Sequence, residues 1–346
     1  MIRSPKLPSE IAQAVTNSGL KLTINSSEQC NLRCVYCYET FALGHMKLDV
    51  AHGIVRLIEK RVADGLDWLE IEFFGGEPLG AWSTVKYVTG NVYELCRRHG
   101  IKFIGGMTTN AILLHMDRLK WLVQHGIKAF QITLDGPREI HDARRVSPQR
   151  IGSFDVIWQR LVMMHASDLA DLDVTIRVHF DASSSPALAG HPSFIDTIIE
   201  TLVRHDPRFK LHFHAIGNWG AGSAEGIKFF AGHQDADAAL QELLARVGKA
   251  GLGPSQVPQL GDGPETGESG YAVCYAARAN AFVIRANGTV SKCTVAFDDG
   301  RNIVGRLTKD GELIIDHELH IPWLRGLVSG DASALACPAI GHIWPM

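Results

Sequence analysis

Residues 21–37 read KLTINSSEQCNLRCVYC, a short β-rich run followed at once by three cysteines in the spacing Cys-x3-Cys-x2-Cys. Cys30, Cys34 and Cys37 therefore share one loop directly after a predicted strand. Such close grouping indicates thiolate metal ligands. A zinc site would need a fourth nearby ligand, and the next candidate, His45, falls where a helix is predicted to begin. Three thiolates instead suit a [4Fe-4S] cluster with one iron left open.

On both sides of this loop the chain alternates β-rich and amphipathic stretches. Strands are predicted at 21–26, 68–74, 102–108, 128–134, 173–180 and 209–216, and helices at 47–64, 80–98, 114–125, 152–167 and 191–205. Repeated βα units form parallel sheets with crossover helices. Six strands are too few for a closed eight-stranded barrel. We therefore predict an α/β fold, a partial (β/α)6 TIM-like barrel with its active face at the carboxyl ends of the strands.

Glycine and proline content divides the rest of the chain. Residues 217–231 are rich in glycine, a helix is predicted at 233–249, and 250–270 is rich in Gly, Pro and Ser. Beyond that, 280–295 is predicted to be a hairpin that turns at Ala-Asn-Gly. We predict a barrel at 1–216, a bridging helix and linker at 217–270, and a small C-terminal α+β domain at 271–346.

Composition excludes several classes of protein. The 346 residues are 46% hydrophobic, and Lys+Arg 34 against Asp+Glu 37 gives 34 − 37 = −3. Such a balance favours neither nucleic acid nor an anionic membrane as a partner. Neither a signal peptide nor an apolar run of about 18 residues is evident. Seven cysteines without an export signal argue against disulfides. We expect a cytoplasmic protein.

Polar motifs end the second and third predicted strands. Gly75-Gly76-Glu77-Pro78 combines glycines, which let a backbone approach a ligand closely, with a carboxylate that can accept hydrogen bonds from an ammonium group. Thr109-Asn110 follows strand three. Taken alone, the first motif is an ordinary turn and the second an Asx turn or helix cap.

The later strands carry further polar residues. Strand four runs from Thr133 into Asp135-Gly136-Pro137 and then Arg144-Arg145, which alone would be a turn and a solvated arginine pair. Alternation places one pair of side chains on a single face of strand five and another on one face of strand six. These pairs are Arg177 with His179 and His212 with His214. Such residues can line a cavity or pack in the core, and two histidines without a third ligand do not indicate a metal site.

Three more cysteines lie in the C-terminal part. Cys274 precedes the predicted hairpin, Cys293 ends the pattern Gly288-x4-Cys293, and Cys337 follows in Ala-Cys-Pro-Ala. Cys96 lies in a predicted helix and is most simply a packed thiol.

Taken together, the barrel motifs resemble the radical S-adenosylmethionine (SAM) superfamily, whose signature is the cysteine triad with an aromatic residue, here Tyr36, before the last cysteine. The resemblance implies that the open iron binds SAM and that reductive cleavage yields a 5′-deoxyadenosyl radical, which abstracts a hydrogen atom. It also implies cofactor contacts from a larger set: Tyr36 at the adenine, Gly75, Gly76, Glu77 and Pro78 at the methionine amine, Thr133 and Arg145 at the methionine carboxylate, and Thr109, Asn110 and Arg177 nearby. Asp135, His179, His212 and His214 are the candidate catalytic or substrate-contacting residues.

The C-terminal cysteines resemble a shortened SPASM or twitch extension, which holds auxiliary [4Fe-4S] clusters. A full module has seven cysteines, whereas this part has three, with Ala334 and Ile343 at two expected positions. Ligand count excludes two auxiliary clusters. We expect one, held by Cys274, Cys293 and Cys337, with His342, water or substrate as the fourth ligand. A degenerate module without metal is the alternative.

The combination resembles peptide-modifying enzymes. We predict a maturase that oxidises or crosslinks a residue of a ribosomally made precursor peptide or protein, using an external one-electron donor such as flavodoxin or ferredoxin. The alternatives are formylglycine formation on a protein Ser or Cys, radical oxidation of a small molecule, and a non-catalytic iron-sulfur or zinc protein. In the sulfatase-maturing branch an Asp follows the hairpin cysteine, but here Thr294 does, which weakens that reading.

Overall fold

The computed structural model describes residues 9–190, 192–219, 224–258 and 273–344. Six strands lie within one or two residues of their predicted positions and pair in parallel in chain order. They are β1 (Gly19–Ser27), β2 (Trp68–Gly75), β3 (Lys102–Thr109), β4 (Ile127–Thr133), β5 (Asp173–Phe180) and β6 (Phe209–Ala215). The sheet does not close on itself. The predicted α/β partial barrel is confirmed.

Helices connect the strands and cover the outer face of the sheet. After α1 (Ser9–Val15), they are α2 (Leu48–Ala63), α3 (Trp82–His99), α4 (Met116–Gln124), α5 (Arg138–Arg144), α6 (Phe154–His165), α7 (Ser185–Gly190), α8 (Pro192–Ile198), which continues as a π-helical stretch at Ile199–Val203, and α9 (His233–Lys249). Ile54 and Ile58 of α2 belong to the same buried core as Leu22 and Ile24 of β1. The sequence did not predict α5, because its short turn carries no apolar periodicity. No helix in the described ranges is both long and apolar enough to cross a membrane.

Four further strands extend the same sheet past β1. They are β7 (Ala281–Ile284), β8 (Thr289–Ser291), β9 (Ile303–Leu307) and β10 (Leu313–Ile315), followed by the short helices α10 (His317–His320), α11 (Arg325–Ser329) and α12 (Ala332–Ala336). β7 pairs in parallel with β1, and β8 to β10 follow antiparallel. The predicted hairpin is confirmed, and Gly288 at its turn has φ +87°. Most of the predicted linker, 259–270, lies outside the described residues, and the boundary at 271 stays a prediction.

The inner face of the barrel strands is polar. Parallel strands covered on both faces usually form continuous apolar runs. Here Leu20 and Leu22 of β1 are fully buried in the core, whereas Lys21 between them lines an internal cavity. The same alternation puts a polar residue of each of the next four strands on the cavity wall: Glu70, Thr108, Gln131 and Arg177. These polar side chains therefore line part of a cavity inside the partial barrel.

Candidate active site

The loop that carries Cys30, Cys34 and Cys37 is held by backbone hydrogen bonds on two sides. The N–H groups of Arg33 and Val35 donate to the carbonyls of Val146 and Arg144, at 2.7 and 2.9 Å. On the other side, the N–H of Glu77 donates to the carbonyl of Gln29 at 2.9 Å. The loop is thus fixed between the segments that follow β2 and β4, at the carboxyl ends of the strands as predicted.

The three thiols of this loop, called the first nest below, are partly buried and lie close enough for their charges to interact. Burial, together with the charges of Glu77, Cys34 and Cys37, raises the pKa of Cys30 to about 12. Burial also raises the pKa of Cys37 to about 12 and that of Cys34, although Arg145 opposes the shift at Cys34. Thiolates that repel one another need a bound cation to ionise, and a coordinating metal supplies it.

The first nest fits a cubane cluster. In the described part of the chain, no three His, Cys, Asp or Glu side chains converge on a point where a single metal ion could bind. The thiolates of a cubane bind different irons, so they need not converge on one point. Asn110 reaches the nest from β3, because its Nδ2 donates to Asn31 Oδ1 at 2.7 Å and to Cys30 Sγ at 3.6 Å.

The glycine motif after β2 contacts the cysteine loop itself. Gly75 has φ +108°, and a Cβ atom on Gly75 or Gly76 would lie 2.5 Å from the carbonyl oxygen of Ser27 or Gln29. The close approach for which the glycines were predicted is therefore made to the backbone of this loop. Pro78 begins a short 3-10 turn, Pro78–Ala81.

A methyl group at residue 76 is expected to displace the cysteine loop. Gly76→Ala would force its Cβ against Gln29, with a cost of about 1–3 kcal/mol, the range for overpacking in a well-packed interior. We expect a lower iron content after anaerobic reconstitution, measured by iron and protein assay. Gly80→Ala is the matched control, because its Cβ would meet no atom closer than 3.5 Å. Equal iron contents in the two variants would contradict the role given to Gly76.

Glu77 is fully enclosed and links two loops. Its carboxylate accepts hydrogen bonds from the Thr109 hydroxyl at 2.7 Å, the Asn110 N–H at 2.8 Å and the Leu79 N–H at 3.0 Å. Burial raises its pKa, and these donors oppose the shift. Three protein donors already hold this carboxylate, so its predicted contact with an amine stays a prediction.

The residue after Asn110 has an uncommon backbone conformation. Ala111 has φ +61°, in the left-handed region that favours glycine. A non-glycine residue in this conformation costs on the order of 1 kcal/mol or more.

Arg145, Tyr36, His179 and Asp135 form a buried chain of polar contacts. Arg145 Nη1 donates to the Tyr36 hydroxyl at 2.7 Å, and the same hydroxyl lies 3.1 Å from His179 Nδ1. His179 Nδ1 is also 3.4 Å from Asp135 Oδ1. Arg144 pairs instead with Asp181 at 2.8 Å. Both arginines are buried, so the reading of a solvated pair is wrong.

The charge states in this chain follow from burial and neighbours. Burial lowers the pKa of His179 to about 3, although Asp135 opposes the shift. Burial alone would raise the pKa of Asp135, but the hydrogen bond from His179 and the charge of Arg145 outweigh it and hold the pKa below its usual range. The network at neutral pH therefore contains an ionised Asp135, a charged Arg145 and a neutral imidazole.

A cavity of about 550 Å³ lies beside this network. The barrel residues that line it include Tyr36, Thr133, Arg177, His179 and His214, and the C-terminal residues that line it include Cys274, Tyr275, Cys293, Thr294 and Cys337. His212 lies with its ring 6.1 Å from that of His214, and its Nδ1 is 3.4 Å from the Pro258 carbonyl oxygen. His214 is therefore on the cavity wall, whereas His212 contacts the segment beyond α9.

Cys274, Cys293 and Cys337, called the second nest below, come together from three distant parts of the chain. Burial, together with the charges of Cys274 and Cys337, raises the pKa of Cys293 to about 12. Burial and the charge of Cys337 likewise raise the pKa of Cys274. The N–H of Cys274 donates to the carbonyl of Leu335 at 2.9 Å, which attaches its segment to α12 just before Cys337.

His342, one predicted fourth ligand, has a different environment. Its ring packs edge-on against Trp323, with centroids 5.5 Å apart. Burial lowers its pKa, as do the charges of Arg325 and Arg301. The charge of Asp299 opposes this shift.

The sequence reading missed the residues deep in the cavity and a buried ion pair. Lys21 Nζ lies 2.5 Å from Glu70 Oε1 on the cavity wall. Polar residues at alternate positions of strands that should be apolar on both faces were the available signal. Arg285, at the end of β7, forms a bidentate pair with Glu28 at 2.6 and 3.1 Å. No local sequence pattern predicts that pair, because its two residues are far apart in sequence.

With this geometry in view, comparison with known proteins identifies the class. Residues 24–178, from β1 into β5, match the model of the Radical SAM superfamily. Residues 24–178 therefore form a radical SAM domain. The superfamily implies a [4Fe-4S] cluster and SAM, and the first nest fits such a cluster.

Particular relatives are more distant. The chain is 33% identical over 121 residues to a GTP 3′,8-cyclase of Clostridium botulinum (strain Okra / Type B1), covering 34% of this chain and 35% of the cyclase. It is 26% identical over 148 residues to a cysteine-type anaerobic sulfatase-maturating enzyme of Clostridium novyi (strain NT), covering 40% of this chain and 38% of that enzyme. The chain thus spans little more than a third of these curated relatives.

A solved structure extends the similarity in fold. Native anSMEcpe with bound AdoMet and Cp18Cys peptide has a TM-score of 0.67 and 19% sequence identity, covering 88% of this chain and 83% of that one. At this identity the likeness concerns the fold.

Proposed function

We propose that this chain is a radical SAM enzyme that modifies a residue of a peptide or protein. The observation that carries the proposal is that a single cavity is lined both by Tyr36 and His179, from the network beside the first nest, and by all three cysteines of the second nest. When bound, a cluster at the first nest and SAM supply a 5′-deoxyadenosyl radical, which abstracts a hydrogen atom from a substrate.

The chain's own residues hold and orient the groups in this site. Arg145 fixes the Tyr36 hydroxyl, and the buried Asp135 balances the charge of Arg145. Thr133 and Arg177 place a hydroxyl and a guanidinium on the cavity wall for polar parts of SAM or substrate. His179 and His214 face the same space, and a neutral imidazole can accept a proton released by an oxidised substrate.

We propose that the second nest holds an auxiliary [4Fe-4S] cluster. The pKa values of Cys274 and Cys293 are raised by burial and by the charges of neighbouring thiols, as in the first nest. All three cysteines line the cavity whereas His342 does not, so the proposed fourth ligand is water or a substrate group from the cavity.

A peptide substrate is favoured over a small molecule by the fold. The structure with TM-score 0.67 was solved with a peptide, and its likeness covers 88% of this chain. A cavity of about 550 Å³ lies within the usual range for small-ligand sites, so a peptide would insert only one or two side chains. Flavodoxin or ferredoxin is the proposed electron donor, and the cytoplasm, where seven free thiols stay reduced, is the proposed compartment.

Formylglycine formation is the second candidate. The similarity to the C. novyi enzyme favours it. However, Thr294 occupies the position after Cys293, and its hydroxyl forms a hydrogen bond of 2.9 Å with the hydroxyl of Tyr275. A proton acceptor at this position would have to be another residue.

The test uses anaerobically reconstituted protein with SAM and dithionite. We expect 5′-deoxyadenosine, measured by chromatography, with and without candidate peptides encoded beside the gene. A peptide that loses hydrogen atoms by mass spectrometry in step with 5′-deoxyadenosine would support the maturase. Conversion of a cysteine or serine to formylglycine would favour the second candidate, and absence of any 5′-deoxyadenosine would refute both.

A further inference from the structure

Arg278 lines the cavity and is half-buried, but it differs from other such arginines in its contacts. The guanidiniums of Arg208 and Arg285 pair with Asp206 and Glu28, at 2.7 and 2.6 Å. Within the part of the chain that the structure describes, no carboxylate pairs with Arg278, and its buried Nε has no hydrogen-bond partner. Removing a charged donor from water without giving it an acceptor is unfavourable. The guanidinium therefore has donors to offer a ligand.

The cavity does not supply the missing counter-charge. Of its described lining residues, Glu70 is the one with a carboxylate, and Glu70 already lies 2.5 Å from Lys21 Nζ. The chain has no general shortage of acidic residues, because Asp+Glu number 37 against 34 Lys+Arg. An arginine beside a cavity without a spare carboxylate favours an anionic ligand in that cavity.

Backbone hydrogen bonds fix the segment that carries Arg278. Its N–H donates to the carbonyl of Tyr275 at 3.1 Å, and its own carbonyl accepts a hydrogen bond from Lys292 Nζ at 2.6 Å. The next N–H, that of Ala279, donates to the carbonyl of Ala14 at 2.8 Å. A binding group on a fixed backbone loses less conformational freedom when a ligand arrives. The position of Arg278 is thus set before a substrate binds.

We propose that Arg278 binds a carboxylate of the substrate, so that the enzyme selects peptides that bring an acidic side chain or a chain terminus to the cavity. This inference rests on the peptide-modifying function proposed above. A guanidinium and a carboxylate can form two parallel N–H···O bonds, which orient the substrate as well as hold it. Tyr275, Trp219 and Trp344 also line the cavity, and such aromatic surroundings limit the water that competes for these bonds.

The experiment measures equilibrium binding, so that it does not depend on turnover. The full chain, reconstituted anaerobically with iron and saturated with SAM, is titrated with two matched pairs of probes by ligand-observed NMR. One pair is N-acetyl-glutamate amide and N-acetyl-glutamine amide, and the other is N-acetylglycine and N-acetylglycine amide. We compare the unmodified protein with Arg278→Gln and Arg278→Lys. Arg56→Gln is the matched control, because Arg56 does not line the cavity and pairs with Asp310 at 2.7 Å.

We expect the unmodified protein and Arg56→Gln to bind one of the acids about 10- to 100-fold more tightly than its amide, the range for a hydrogen bond to a charged group. A preference for the glutamate probe would identify an acidic side chain, and a preference for N-acetylglycine a chain terminus. Arg278→Gln should lose the preference, and Arg278→Lys should keep part of it, because lysine keeps the charge without the planar fork. No measurable binding of either acid, equal binding of acid and amide, or a preference that survives in Arg278→Gln would overturn the inference.

Three further measurements on Arg278→Gln separate a substrate contact from other roles. We expect its unfolding midpoint in denaturant, its iron content and its affinity for SAM to equal those of the unmodified protein. A lower midpoint would reveal a partner within the chain, loss of iron a role at a cluster, and weaker SAM binding a contact with the carboxylate of SAM. Each of these results would overturn the assignment to substrate. Normal probe binding without any 5′-deoxyadenosine would instead refute the proposed function.

Discussion

Replacing Cys30, Cys34 and Cys37 together by alanine is expected to abolish SAM cleavage and leave about four irons in the protein, those of the second nest. The buried nest supplies all three thiolates of the first cluster, so no other group can hold its irons. The rate of 5′-deoxyadenosine formation should fall to background, on the order of a million-fold or more if the enzyme is typical. Anaerobic reconstitution, iron assay and chromatographic detection of 5′-deoxyadenosine provide the measurement.

Cys96→Ala is the matched control for this triple variant. Cys96 is a free thiol 1% exposed within α3, and it belongs to neither nest. Its replacement removes a small packed group, with a cost of about 1 kcal/mol, but no metal ligand. Iron content and SAM cleavage should match those of the unmodified protein. Persistent cleavage in the triple variant, or its loss in Cys96→Ala, would show that the first nest is not the catalytic cluster site.

The second large effect is expected at the buried pair of Glu28 and Arg285. Glu28 lies two residues before Cys30, and Arg285 directly follows β7. The pair therefore joins the cysteine loop to the hairpin that precedes Cys293. Arg285→Met leaves Glu28 without its cation next to Glu39, whose pKa burial and Glu28 already raise to about 8. Removing one partner of a buried pair costs about 3–5 kcal/mol. We expect a lower unfolding midpoint in denaturant and weaker retention of iron at both nests.

Two variants separate the ion pair from general disruption. A double variant, Glu28→Gln with Arg285→Met, removes both charges and should recover part of the loss, because no buried charge is left alone. Arg56 and Asp310 also join the barrel to the C-terminal strands, at 2.7 Å, but both side chains are at least half exposed. Breaking that pair should cost about 0–1 kcal/mol. Equal losses at the two pairs would refute the special role of the buried one.

Much of the fold could be predicted because its signals are local. The alternation of β-rich and amphipathic stretches locates β1 to β6 and six helices, α2, α3, α4, α6, α8 and α9, and the Ala-Asn-Gly turn locates the β7–β8 hairpin. Helix α5 was missed, since a short helix after Asp135-Gly136-Pro137 carries no apolar periodicity. The pairing of β7 with β1 was also missed, because strand partners distant in sequence leave no local trace.

The first nest could be predicted from the sequence because its three cysteines lie within eight consecutive residues. They therefore stay close together however the rest of the chain folds. Only the tertiary structure decided the rest of the site. It brought Cys274, Cys293 and Cys337 to one cavity and gave Glu77 three protein donors. These contacts join distant parts of the chain, and they depend on which strands pair and on where burial removes water. The sequence therefore determined the first nest, and the packing determined the chemical surroundings of both nests.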